Sequence, residues 1–485
     1  MKHVIFVLVA SVLFYTCAGT SSQVVVDLQK PADIAIDDAM ARLSGALRIK
    51  TVSYSDSAAT EAIAFNTFIN YLSVHYPLIH SQLSPENINN FSLLYTWKGS
   101  RSDLKPVFLL AHSDVVPADT TGSSRWRVKP FDGAIDDNVL WGRGAVDDKA
   151  AMIGILEVVE YLLSSGFQPE RTIILAFGHD EEIGGRNGAQ AIADTLRKRG
   201  ISPDFIMDEG GAIVEEGVPG VDVPVALIGI AEKGYVSLQL SVDGVGGHSS
   251  MPPNETAVTV LSKAIGKLSD NPLPATLEGP IKEMLVTLAP ETSFPFNFLF
   301  SNLWAFGGII EGQLAGSSKS NALIRTTTAP TMFHAGVKDN QLPQKATAVV
   351  NFRLKPGDSV DGIIAHVKSV IDNPKIIVEP IGDFPQEASE VSNYKSPQYT
   401  AIAKSIRQTF PDVLVSPYLT VGGTDAKHYQ GMTDQIYRFL PIQFSPEQLN
   451  GMHGIDEHIT SLDYERLLTF YLQLVKNTAG PDRLW

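Results

Sequence analysis

Two adjacent acids, Glu181 and Glu182, follow an apolar run from Thr172 to Phe177, and Gly184-Gly185 breaks the chain just after them. The run reads as a buried parallel strand. Carboxylates at the end of such a strand are costly as bare charges, so they must be paired, protonated or bound to cations. Two acidic neighbours in different surroundings take different tasks, one as a metal ligand and one as a general base. Alone, the pair would mean only a solvated acidic turn. Four further clusters strengthen the chemical reading. Leu109-Leu110-Ala111-His112-Ser113-Asp114 ends a second apolar run. A His-x-Asp pair on an extended segment puts both side chains on one side, so the histidine suits a metal and the aspartate orients it. Gly142-Arg143-Gly144-Ala145-Val146-Asp147-Asp148-Lys149 leads from a glycine-bearing loop into an amphipathic helix from about 149 to 165. Phe205-Ile206-Met207-Asp208-Glu209-Gly210-Gly211 is a third apolar run ending in acids and glycines, and Met452-His453-Gly454-Ile455-Asp456-Glu457-His458 lies near the C-terminus. Together the clusters offer two histidines, three metal-facing carboxylates and a spare glutamate. That is the ligand supply of a binuclear site for borderline-soft divalent metals.

In these motifs and their order the sequence resembles the M20 metallopeptidase family, and within it the carboxypeptidase S and PM20D1-like branch, which includes N-acyl amino acid hydrolases. The likeness spans nearly the whole chain and rests on Ala111–Pro117, Gly178–Glu182, Asp208–Gly210, Ala231–Tyr235 and Gly247–Ser250. The resemblance implies a role for each residue. His112 with Asp208 would bind one metal, Glu182 with His453 the other, and Asp147 would bridge them. Glu181 would be the general base, Asp114 would orient its neighbours, and a cis peptide would join Asp147 to Asp148. The implied cofactor is two Zn2+, or other divalent ions. Two cations about 3.5–4 Å apart share a water, lower its pKa and polarise the scissile carbonyl. His248 would stabilise the tetrahedral oxyanion, in many relatives across a dimer interface. Asn340 and Arg353 would hold the substrate carbonyl and carboxylate, with Gly423 and Thr424 in the same substrate site. A planar guanidinium suits bidentate carboxylate recognition. The implied partner is a peptide or small molecule with a free carboxylate, and a homodimer is compatible with the pattern. A catalytically silent binding or scaffold protein on the same fold is the alternative, but such a chain would be expected to lack a ligand or the base, and none is missing.

The elements that must position these residues follow from the rhythm of the chain. Strands alternate with helices from about residue 33 to 230, which predicts an α/β catalytic domain with a mostly parallel central sheet and its site at the strand ends. From about 234 to 380 the rhythm changes, with strands expected at 235–242, 347–354 and 375–378 and helices at 255–268 and 360–371. This order resembles the family's inserted lid or dimerisation domain, an α/β sandwich. The expected organisation is a signal peptide at 1–19, a catalytic domain at 30–233 and 382–485, and a lid at 234–381. Between 271 and 320 lie Phe294, Phe296, Phe298, Phe300, Trp304 and Phe306. The alternating phenylalanines predict an extended segment with one aromatic face, completing the lid core or lining an apolar acyl pocket.

At 485 residues the chain exceeds one ordinary core, in keeping with two domains. A net charge of −15 and the lack of a basic stripe exclude a nucleic-acid surface. Met1 to Phe14 combines a basic start with a short apolar core, followed by small residues from Thr16 to Ser22, the pattern of a secretory signal peptide cleaved near Ala18 or Gly19. The expectation is a secreted or periplasmic protein. Cys17, the only cysteine, offers a lipoprotein anchor, but Phe14 and Thr16 suit lipidation poorly. A single cysteine leaves no internal disulfide.

Overall fold

The computed structural model describes residues 20–54, 62–119, 126–215 and 218–485, so the expected signal segment lies outside the described residues. At the centre of the larger sheet, strand Val107–His112 runs parallel to both its neighbours, Ile173–Gly178 and Phe205–Asp208. Alternate residues enter different cores. Leu109, Ala111, Leu175 and Phe177 face helices Ile36–Leu47, Lys149–Ser164 and Ser461–Ala479. Phe108, Leu110, Ile174 and Ala176 face helix Ala189–Lys198. Both sides are covered, which is why these strands are continuous apolar runs rather than alternating ones. Because the three strands share a direction, their carboxyl ends meet at one edge. His112, the turn after Gly178, and Glu209 therefore converge.

The sheet extends on one side through Ser92–Trp97 and Glu86–Ile88, and on the other through Ile436–Arg438, Val225–Glu232, Ile213–Val214 and Gln443–Phe444. Leu414–Thr420 joins it in parallel with Val225–Glu232. The antiparallel pairs lie on the flanks, leaving a mixed sheet with a parallel centre. No helix of the described residues is long and apolar enough to cross a membrane.

A second sheet is antiparallel throughout, in the order Thr327–Ala335, Lys345–Leu354, Gly234–Asp243, Ile377–Gln386. Along Lys345–Leu354 every second residue is buried, and Val350 and Phe352 pack with Val236, Leu238, Leu261, Ile363 and Val367. Helices Ala257–Asp270 and Val360–Ile371 cover that face. The first begins at Thr256, whose hydroxyl accepts from the Thr259 N–H at 3.2 Å. The last strand runs from Ile377 to Gln386, later and longer than the expected 375–378.

The aromatic stretch is not extended. It folds into helices Phe296–Ser301 and Leu303–Leu314, after Pro280–Leu288. Phenylalanines at every second position also fall four apart, and four apart is one helical turn. The Phe296 and Phe300 rings accordingly lie 5.8 Å apart, centroid to centroid. These helices do not complete the lid core either. Phe300, Ile310, Leu285 and Leu288 pack on Val225, Leu227 and Leu414, at the flank of the larger sheet.

Candidate active site

Asp147 lies between two histidines. Its Oδ1 is 3.1 Å from His112 Nε2, and its Oδ2 is 2.9 Å from His453 Nε2. Each histidine meets one further carboxylate: Glu209 Oε1 at 3.5 Å from His112 Nε2, and Glu182 Oε2 at 3.2 Å from His453 Nε2. Two ligand groups result, His112–Asp147–Glu209 and Asp147–Glu182–His453, sharing Asp147, and within each the ligand atoms lie within 4.8 Å of one another. The expected partner of His112 was Asp208, and here the structure differs. Asp208 is buried, and its Oδ2 accepts the Ala426 N–H at 2.7 Å. Glu209, one residue past the strand end, reaches His112 instead.

The electrostatics favour added positive charge. Burial pushes the Glu181 and Glu182 carboxyls above the usual range and raises Glu209 to about 7. Burial opposes a charge on His112, yet its bonds to Asp114, Asp147 and Glu209 hold it well above an ordinary histidine. Hydrogen bonds to Asp147 and Glu182 push His453 up to about 10. The acids thus draw protons onto the histidines, and Glu182 Oε1 remains buried without a hydrogen-bond partner. Imidazole and carboxylate donors in this arrangement fit divalent cations of the zinc type.

Other residues set the geometry. The buried Asp114 accepts from Ser53 Oγ at 2.6 Å and from the Glu181 and Glu182 N–H groups at 3.1 and 3.2 Å. Its backbone carbonyl lies 3.0 Å from His112 Nδ1, so one residue orients both the histidine and the acidic turn. Gly185 has φ +72°, and a Cβ there would collide with the Asp425 carboxylate, which explains the glycine pair after the acids. The peptide Asp147–Asp148 is cis. Sequence reasoning missed Glu457. It accepts from Arg143 Nη1 at 2.7 Å and from the N–H groups of Gly144, Val146 and Asp147 at 3.0, 2.8 and 3.1 Å. The only available signal was an Arg and an extra acid inside two clusters already singled out.

A cleft of about 780 Å³ opens beside these residues, lined by Glu181, Glu182 and His453 from the larger unit and by Tyr235, Arg353 and Gln386 from the smaller sheet.

A sequence model described as Peptidase family M20/M25/M40 matches residues 108–477. The chain belongs to this family. Among its curated relatives, a probable carboxypeptidase S-like 2 of Dictyostelium discoideum is 43% identical over 441 residues, covering 90% of this chain and 84% of that one. The N-fatty-acyl-amino acid synthase/hydrolase PM20D1 of Xenopus tropicalis is 39% identical over 440 residues, covering 90% and 85%. The fold is similar to that of a crystal structure of the M20 family metallo-carboxypeptidase Sso-CP2 from Sulfolobus solfataricus, with a TM-score of 0.66 at 18% identity, covering 91% of this chain and 99% of that one.

In this M20 chain the expected substrate residues divide. Gly423 and Arg353 line the cleft, and the Arg353 guanidinium stacks 4.8 Å from the Tyr235 ring centre. Thr424 is buried behind it, its N–H and hydroxyl donating to Glu232 Oε2 at 3.2 and 2.9 Å. His248 and Asn340 do not line the cleft. His248 sits in an exposed ribbon where Gly247–His248 pairs with Gln341–Leu342, and the Asn340 carbonyl accepts the Ser249 N–H at 3.2 Å. A single copy of the chain does not bring these two to the acids. None of the aromatic residues of the 271–320 stretch lines the cleft.

Proposed function

We propose that this M20 hydrolase works with two divalent cations, zinc foremost, and cleaves an amide next to a free carboxylate: a C-terminal peptide bond or an N-acyl amino acid. The observation that carries this reading is Asp147, with one oxygen toward each histidine and a further carboxylate on each side. His112, Asp147 and Glu209 would hold one cation, and Asp147, Glu182 and His453 the other. When bound, such cations lower the pKa of a shared water and polarise the scissile carbonyl. Glu181 then takes the proton from the attacking water and delivers it to the departing amine nitrogen. Asp114 fixes the acidic turn during both transfers through the two N–H groups it accepts. Arg353, stacked on Tyr235 in the cleft lining, holds the carboxylate of the leaving amino acid. Both substrate types present the same amide and carboxylate, and relatives named for each stand at comparable identity. The N-terminal pattern of basic start and apolar core supports export.

The test is product analysis by mass spectrometry. Zinc-loaded protein would be incubated with N-fatty-acyl amino acids, N-acetyl amino acids and blocked dipeptides, with Glu181→Gln as the control. Release of free amino acids by the unaltered protein and loss in the variant are expected. Metal-loaded protein that turns over nothing in the panel would return the scaffold alternative.

A further inference from the structure

Buried lysines in this chain use their ammonium groups on the protein itself. Lys149 Nζ donates to the Ala46 and Ile49 carbonyls at 3.0 and 2.7 Å, and Lys233 Nζ to the Ala322 and Arg325 carbonyls at 2.9 Å each. Lys427 is the exception. Its side chain is only 14% exposed and lines the cleft, yet its Nζ makes no hydrogen bond among the described residues. Its one ion pair among the described residues is with Glu181, with Oε1 at 4.0 Å, outside hydrogen-bonding range, and the Asp425 carboxylate also favours its charge. The backbone around it is anchored on three sides. Asp208 accepts the Ala426 N–H, Glu232 accepts from Thr424, and His428 Nε2 donates to the Gly184 carbonyl at 2.8 Å. That last bond ties the lysine's turn to the turn bearing Glu181. Three donors are thus held ready in the cleft beside the base, while His248 lies outside it.

We propose that Lys427 is a catalytic residue that donates a hydrogen bond to the scissile carbonyl oxygen as that oxygen gains negative charge. The inference rests on the hydrolase reading above. In the first step a water oxygen bonds to the carbonyl carbon, the carbonyl π pair moves onto its oxygen, and the water proton passes to Glu181. Negative charge therefore leaves Glu181 and appears on the substrate oxygen, both within one cleft. The ammonium beside Glu181 turns from the neutralised base to the new charge and keeps its own proton. In the second step the pair returns, the carbon–nitrogen bond breaks, and the Glu181 proton goes to the amine. A donor placed where charge develops, in a site shielded from water, acts on the transition state more than on the bound substrate.

The experiment compares Lys427→Met and Lys427→Arg with the unaltered zinc-loaded enzyme on the best substrate of the panel. Lys427→Met is expected to lower kcat about 100-fold, the usual scale for removing one such donor, with KM changed by less than about threefold. Lys427→Arg should recover part of kcat. A tetrahedral phosphinate analogue should bind Lys427→Met more weakly by a similar factor in calorimetry, while the product amino acid binds as before. Should Lys427→Met fail to fold, Lys427→Gln and the analogue affinities carry the same comparison. A rise in KM at unchanged kcat would make the lysine a carboxylate anchor and overturn the inference. Equal weakening of analogue and product, or loss of bound zinc with a lowered Tm, would do so too, by making it a structural counter-ion. If the unaltered protein turns over no amide, the hydrolase reading fails first, which separates the two failures.

Discussion

Asp208 and Glu209 differ by one position and by everything that matters chemically. At the end of Phe205–Asp208, one residue decides which side of the strand a carboxylate faces. Asp208 turns to the Ala426 N–H and Glu209 to His112. Glu209→Gln is therefore expected to remove one of two zinc equivalents in metal analysis, while Asp208→Asn retains both. The opposite result would return Asp208 to the site. The meeting of His112, Asp147, Glu182 and His453 was legible because each lies in a separate cluster at a strand or loop end. The choice between two adjacent acids was not, because it depends on the last peptide of a strand. Protons give a second handle. Without metal, His453 is raised to about 10 by Asp147 and Glu182, and His112 also lies well above its ordinary value. The acids around them favour the protonated rings, and a cation competes with those protons. Metal affinity should therefore fall as pH falls, and zinc binding at pH 7 should release protons. Calorimetry in buffers of different ionisation enthalpy measures this, and a buffer-independent heat would contradict it.

The loops that carry the site are joined to one another rather than only to their own strands. Glu457 gathers Arg143 and the backbone N–H groups of Gly144, Val146 and Asp147, and Arg143 Nη2 also donates to the Gly454 carbonyl at 2.8 Å. The loop with the shared carboxylate and the loop with His453 are thus tied together. Glu457→Gln keeps the shape but weakens the charge-assisted bond to Arg143. It should raise the zinc dissociation constant about tenfold or more, as loss of residues supporting metal ligands does, with the fold intact by circular dichroism. Unchanged affinity would mean that Asp147 is held by its own loop alone. No sequence pattern announces this tie, since Arg143 and Glu457 are 314 positions apart. The helix expected near 360–371, by contrast, is found at Val360–Ile371, because apolar spacing is a local signal. The phenylalanine stretch misled because a period of two over five positions also satisfies a helical turn.

At the scale of the whole chain, the cleft is built from two structures with separate cores. The larger sheet packs its faces against helices on both sides, whereas the smaller sheet has its own core of Val236, Leu238, Val350, Phe352 and Ile363. All the residues placed around the two candidate cations belong to the first. Arg353 and Tyr235 belong to the second, on neighbouring strands where Tyr235 pairs with Arg353. The proposed base and the proposed carboxylate clamp therefore depend on different cores, and the two can be perturbed one at a time. Phe352 is fully buried, so Phe352→Ala should destabilise the smaller unit by about 3–5 kcal/mol through lost burial and the cavity it leaves. Its consequence should be a lowered first transition in calorimetry and a raised KM, with both zinc equivalents retained. Removing zinc should instead lower the transition of the larger unit, because bound cations stabilise only the state that holds them. A single transition that shifts equally under both changes would show that the two cores unfold as one, and the clamp and the metal site would then not be separable by mutation.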